Sequence, residues 1–170
     1  MNPWIHEPDM RPCVIAILIV GCLAARGEAQ SRTATLSATF SGLARLTLST
    51  ASLTFPDADP DTIPQVAGNP AVVTITTKAR ATRNGTVTLT VQASGNLRSG
   101  LITIPASNIT WTATGAGFVA GTLSSATPQA VAAWVGSGVR NGTQSFFFRN
   151  LWTHPTGTYT LTLLFTLSAA

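Results

Sequence analysis

The feature that most constrains this chain is a two-residue alternation of apolar and polar side chains. In Thr33-Ala-Thr-Leu-Ser-Ala-Thr-Phe40, the residues Ala34, Leu36, Ala38 and Phe40 fall on one face of an extended backbone. Successive side chains of a strand point to opposite faces, so this pattern specifies half-buried strands and opposes helices. Ala44, Leu46 and Leu48 keep the same phase. It then flips to Leu53 and Phe55, which places a bulge or turn near Thr50. Thr86–Ala93 directs Val87, Leu89, Val91 and Ala93 inward. A final strand from Thr158 to Leu167 directs Tyr159, Leu161, Leu163, Phe165 and Leu167 inward. Threonine fills many of the outward positions, as suits a residue that forms strands when half-buried.

Turn signals cut these runs at short intervals. Asn84-Gly85 is expected to join a strand over 72–83 to Thr86–Ala93. Asn141-Gly142 is expected to join 130–140 to 143–149. Both dipeptides suit the type I′ hairpin turn, whose two central residues need positive φ. Pro56, Pro60, Pro64 and Pro70 mark a long loop. Short strands at this spacing predict an all-β fold, an immunoglobulin-like antiparallel β-sandwich of one domain over 30–170.

The first 29 residues read as a cleaved signal peptide. Cys13–Ala25 is an uncharged apolar run, shorter than the roughly 20 residues a membrane-spanning helix needs and suited to the centre of a secretory signal. Arg11 flanks it, and Gly27 and Ala29 are small residues preceding a cut before Gln30. Translation beginning at Met10 gives a more regular signal and marks Met10 as a candidate start. Ile19-Val20-Gly21 before Cys22 loosely matches a lipidation box. It lacks the preferred Leu three residues before the cysteine, which argues against a lipid anchor at Cys22. The reading is therefore an exported chain, in the periplasm, on the cell surface or outside the cell, with no transmembrane span after residue 30.

Charge then narrows the function. Only 9% of the 170 residues are charged. After residue 29 the acids are Asp57, Asp59 and Asp61 alone, set against Lys78 and seven arginines. There is no cysteine, no glutamate and one histidine, His154. Paired-carboxylate hydrolysis needs two acids facing across a substrate. A cysteine nucleophile and a His/Cys metal site are likewise missing, and no phosphate-cradling glycine loop occurs. The expectation is a non-enzymatic protein with no cofactor.

Ala44-Arg-Leu-Thr-Leu-Ser-Thr-Ala-Ser-Leu-Thr-Phe55 with the following Pro-Asp-Ala-Asp-Pro60, and Gly157-Thr-Tyr-Thr-Leu-Thr-Leu-Leu-Phe-Thr-Leu167, resemble the two ends of spore coat protein U-type and chaperone–usher pilin-like domains. The glycine standing fourteenth from the end of such pilins has its counterpart in Gly157. The usual disulfide and the aromatic near the C-terminus of those domains are missing here. The resemblance implies a secreted β-sandwich, with an N-terminal strand that pairs with the sheet of a neighbouring subunit.

Several residues are candidates for interaction. Ala34, Leu36, Ala38 and Phe40 form a candidate interaction strand, which either completes its own sheet or is added to a neighbour's. Gly157, Tyr159, Leu161, Leu163 and Phe165 mark the C-terminal strand. Asp57, Asp59 and Asp61 alternate as calcium ligands do, without the glycine and distal glutamate of an EF-hand. Phe146-Phe147-Phe148 puts consecutive rings on opposite faces, so Phe147, with Trp152, is a candidate aromatic surface. Lys78, Arg80 and Arg83 form the one basic cluster, suited to anionic surface polymer; nucleic acid is not expected as a partner. The leading functional reading is a surface or pilin-like structural or adhesion subunit working through its β-strand edges. The alternative is a monomeric secreted binding module for carbohydrate or surface polymer that uses exposed aromatics.

Overall fold

The computed structural model describes residues 35–170. The readings placed on 1–34, including the signal segment, Met10, Cys22 and Ala34, lie outside the described residues. Thr39–Ala170 form the body described below.

Eleven strands follow in order: β1 Leu43–Leu48, β2 Gln65–Ala67, β3 Val73–Arg80, β4 Thr86–Ala93, β5 Leu97–Ser99, β6 Ile102–Ile104, β7 Ile109–Thr114, β8 Gly121–Thr122, β9 Gln129–Val135, β10 Gly138–Arg149 and β11 Leu163–Ala169. The fold is all-β, and every strand pairing is antiparallel. The larger sheet runs β1-β3-β10-β7-β8, with β2 paired to the end of β10. The smaller sheet runs β11-β4-β9, and β5 and β6 form a separate ribbon.

The alternation places the core. In β4, Val87, Leu89 and Val91 are fully buried between the outward Thr86, Thr88, Thr90 and Gln92. In β3, Val73, Ile75, Thr77 and Ala79 point inward while Thr74, Thr76, Lys78 and Arg80 do not. Inward residues of both sheets belong to one hydrophobic cluster, together with Trp111, Leu123, Val131 and Phe146. Burying each such large side chain stabilises the fold by roughly 1.5–3 kcal/mol. Trp111 stacks obliquely on Phe146, with centroids 6.3 Å apart, and its indole N–H donates to the Val119 carbonyl at 2.9 Å.

Neither expected Asn-Gly hairpin forms. The strand before Asn84-Gly85 pairs with β1 and β10, whereas the strand after it pairs with β11 and β9. The dipeptide therefore sits where the chain crosses between sheets. Asn141 and Gly142 lie inside β10, opposite Thr76 and Ile75 of β3. Neither Gly85 nor Gly142 has the positive φ of a type I′ turn. Both serve close approach instead. A Cβ on Gly85 would overlap the Ala170 carbonyl, and one on Gly142 would come within 2.5 Å of the Phe118 ring. The turn between β9 and β10 falls at Gly136-Ser137, with Gly136 at φ 77°. It is pinned by Ser137 Oγ, which donates to the Ala81 carbonyl and accepts from its N–H, each at 3.0 Å.

Two strand expectations are also corrected. Residues 35–42 form no strand, and Leu36 and Phe40 are exposed. The last strand begins at Leu163 instead of Thr158, because Thr160 exchanges backbone hydrogen bonds with Arg98, outside the β4 ladder. Ala44 is exposed, while Leu46, Leu48, Leu53 and Phe55 pack against the core only in part.

Candidate interaction edges and surface sites

The two sheets each end on an edge strand at the same side of the molecule. β1 pairs only with β3, β11 pairs only with β4, and the two edges lie beside each other. Inward residues of the central strands are buried, but those of these edges are not. Leu46 and Leu48 of β1, and Leu163, Phe165 and Leu167 of β11, are half-buried, as are Tyr159 and Leu161 just before it. Each edge strand presents backbone N–H and C=O groups along its free side, a template for a further strand. The other edge of the smaller sheet is covered differently. Val119 N–H donates to Val131 at 2.9 Å, and Ala133 N–H donates to Gly117 at 3.1 Å, so a loop lies along β9. At the far end of the larger sheet, β8 is only two residues long. The β1 and β11 edges are therefore the long, strand-free ones among the described residues.

Gly157, from the C-terminal motif, has φ 156°, and a Cβ there would press on Ser99. It sits before β11, and Tyr159 turns its hydroxyl back to donate to the Pro155 carbonyl at 2.9 Å. These residues shape the entry to β11 rather than its ladder.

Asp57, Asp59 and Asp61 do not converge as a ligand set. One Asp57 oxygen accepts from the Ala58 N–H at 3.0 Å, and one Asp59 oxygen from the Asp61 N–H at 2.9 Å. Asp61 accepts from the Trp152 indole N–H at 3.0 Å. Asn150 ties the same loop down, donating to the Ala58 carbonyl at 2.9 Å and the Ile63 carbonyl at 3.3 Å. Among the described residues no group of three His, Cys, Asp or Glu side chains gathers as a metal site.

The aromatic run divides as the alternation demands. Phe146 is buried, and Phe148 packs on Phe55 and His154 with centroids 5.7 and 5.3 Å away. Phe147 points to the opposite face and is half-buried, opposite Thr110 and Ala67. Trp152 is 70% exposed. Trp134 is in the core, with the Arg140 guanidinium 6.0 Å from its ring. His154 is held below the usual imidazole pKa, first by burial and second by the charge of Arg149.

The outward face of the larger sheet has an order that the sequence does not display. Residues directly opposite in a ladder share a face. Arg45 stands opposite Lys78, which stands opposite Val139, and Leu43 stands opposite Arg80. The next rows are Thr47–Thr76–Asn141 and Thr74–Thr143–Thr114. Three cations therefore collect at one end of a hydroxyl-rich face. Sequence reasoning placed Lys78 and Arg80 together but missed Arg45, which is 33 positions away and joins them only through the β1–β3 register. Arg83 lies beyond β3, on the crossing between sheets. No protein-family model and no curated protein matches the chain.

Proposed function

We propose that this chain is an exported, non-enzymatic structural or adhesion subunit, an immunoglobulin-like β-sandwich that engages other copies through its strand edges. The adjacent edges of β1 and β11, strand-free among the described residues and lying over half-buried leucines and Phe165, carry the reading. A second support is the segment ending at Phe40, which has strand alternation and threonine-rich polar positions but forms no strand over residues 35–40. Strand addition would use both: backbone bonds to the free edge supply affinity, and alternate side chains entering the half-covered core supply register. The pilin-like resemblance of the two chain ends agrees with this mode. The scarcity of carboxylates supports a role without catalysis.

The test compares residues 30–170 with a form beginning at Ser41, by sedimentation and size-exclusion chromatography over a range of concentrations. The longer form is expected to form concentration-dependent multimers. The shorter form should remain folded and monomeric, and should capture an added peptide spanning residues 33–42. The same peptide carrying Leu36→Asp and Phe40→Asp should not bind. A longer form that stays monomeric throughout, or a shorter form that unfolds, would overturn strand exchange.

A further inference from the structure

We infer that the outward face of the larger sheet, at its β1–β3–β10 end, is a binding site for an acidic polysaccharide. It uses the outward side chains of β1, β3 and β10 and not the free backbone edge of β1, so its cations stay in place whether or not that edge accepts a strand. The Phe40–Arg80 contact, by contrast, belongs to the form in which residues 35–40 are not added to a neighbour. Arg45, Lys78 and Arg80 are exposed on this face, brought together by the register that sets Arg45 opposite Lys78. Sheet geometry separates such neighbours by about 4.8 Å across strands and about 6.7 Å along one strand. The cations border a shallow groove of about 340 Å³, whose walls also include Leu43, Gly138 and Val139.

Three features make this more than a solvated basic edge. First, the counter-charges lie elsewhere. The described acidic side chains are confined to residues 57–61, where each has an oxygen bound to a backbone or indole N–H. Second, the Arg80 guanidinium lies over the Phe40 ring, 5.0 Å from its centroid. A guanidinium held over a ring face keeps N–H donors that the ring does not satisfy and that an oxyanion can accept. Third, the face continues from cations into neutral hydroxyls and an amide, Thr47, Thr76, Asn141 and Thr143. A ligand matched to both parts carries negative charges and hydroxyl groups on one chain, as a uronate or sulfated polysaccharide does. A nucleic acid would want exposed aromatic platforms for its bases. The face offers one exposed ring beside the cations, Phe40, and Phe147 lies in the row of Thr110, at the other end of the face, so no run of successive platforms lines the groove.

The test titrates the full chain with polygalacturonate oligomers of defined length. A single-stranded oligonucleotide of equal charge and a neutral dextran serve as comparison ligands. Arg45→Gln/Lys78→Gln/Arg80→Gln is compared with Arg83→Gln/Arg98→Gln/Arg149→Gln, which removes the same charge from other places. The first triple is expected to weaken polygalacturonate binding at least tenfold and the second less than threefold. Thr47→Val/Thr76→Val keeps the β-branched shape and all charges, and should weaken polygalacturonate severalfold while leaving the oligonucleotide unchanged. All substituted side chains are exposed or half-buried, and circular dichroism confirms the fold of each variant. Equal losses in the two triples would reduce the effect to overall charge and overturn the site. Tighter binding of the oligonucleotide than of polygalacturonate would overturn the ligand class.

Discussion

Gly142→Ala isolates why a turn-like dipeptide lies within a strand. A Cβ at this position would fall 2.5–2.6 Å from three ring carbons of Phe118, whereas carbon atoms settle about 3.5–4.0 Å apart. The ring therefore has to move by roughly 1 Å against its neighbours. Phe118 has little freedom to do so: it is 9% exposed, and its N–H is bonded to the Gly115 carbonyl at 3.1 Å. Overpacking of this kind costs about 1–3 kcal/mol, from which the roughly 0.5–1 kcal/mol preference for alanine over glycine in a strand is subtracted. The net expectation is a loss of up to about 2.5 kcal/mol, centred near ~1 kcal/mol, or a fall of several degrees in Tm. Phe118→Ala alone should cost about 3–5 kcal/mol by opening the core. In that background the added methyl meets open space, so Gly142→Ala should become neutral or stabilising by up to about 1 kcal/mol. The assay is a double-mutant cycle by urea unfolding. The expected coupling is about 1–3 kcal/mol, in the sense that the two changes together harm less than their sum. If Gly142→Ala costs as much without the Phe118 ring as with it, the steric account fails. A dominant backbone cause would then be indicated, as in the turn that the dipeptide suggests.

Two further outcomes follow from buried or covered polar groups. Gln144 is fully buried in β10, and neither atom of its amide meets a hydrogen-bond partner, so Gln144→Leu is expected to raise stability by about 1–3 kcal/mol in urea melts. His154 has a lowered pKa because burial, and then Arg149, disfavour its charged form. The unfolded chain therefore binds the proton more readily. The stability linked to His154 is full above the unfolded value near 6.5, declines as pH falls below it, and levels off once the folded-state pKa is passed. His154→Phe should flatten that part of the stability–pH curve, measured by thermal melts between pH 4 and 8.

The legible parts of this fold are those governed by neighbours in the chain. Val87, Leu89, Val91 and Ala93 are buried as their spacing says, and the split of Phe146 from Phe147 follows from alternation alone. The Asn-Gly signals misled because a glycine is used in two ways. It permits positive φ, which is a local property, and it permits close approach, which depends on what comes near. At Gly85 the approaching group is the Ala170 carbonyl, and at Gly142 it is Phe118, neither close in sequence. The candidate surface was half legible for the same reason. Lys78 and Arg80 are two residues apart on one strand, whereas Arg45 joins them through pairing.

Alternation by itself determined that the described body is all-β and which residues face inward within strands such as β4, because side-chain direction along a strand is a two-residue property. It did not determine which alternating segments become strands, as residues 35–42 show. The near-absence of carboxylates was likewise a matter of composition. Only the tertiary structure decided which strands pair, that the chain passes repeatedly between the two sheets, as after β3 and after β9, and that β1 and β11 are neighbouring free edges among the described residues. Those are choices among partners tens of residues apart. Many strands of the same alternation compete as partners, and the balance among them is settled by how bulky side chains such as Trp111, Phe118 and Phe146 fill one shared core.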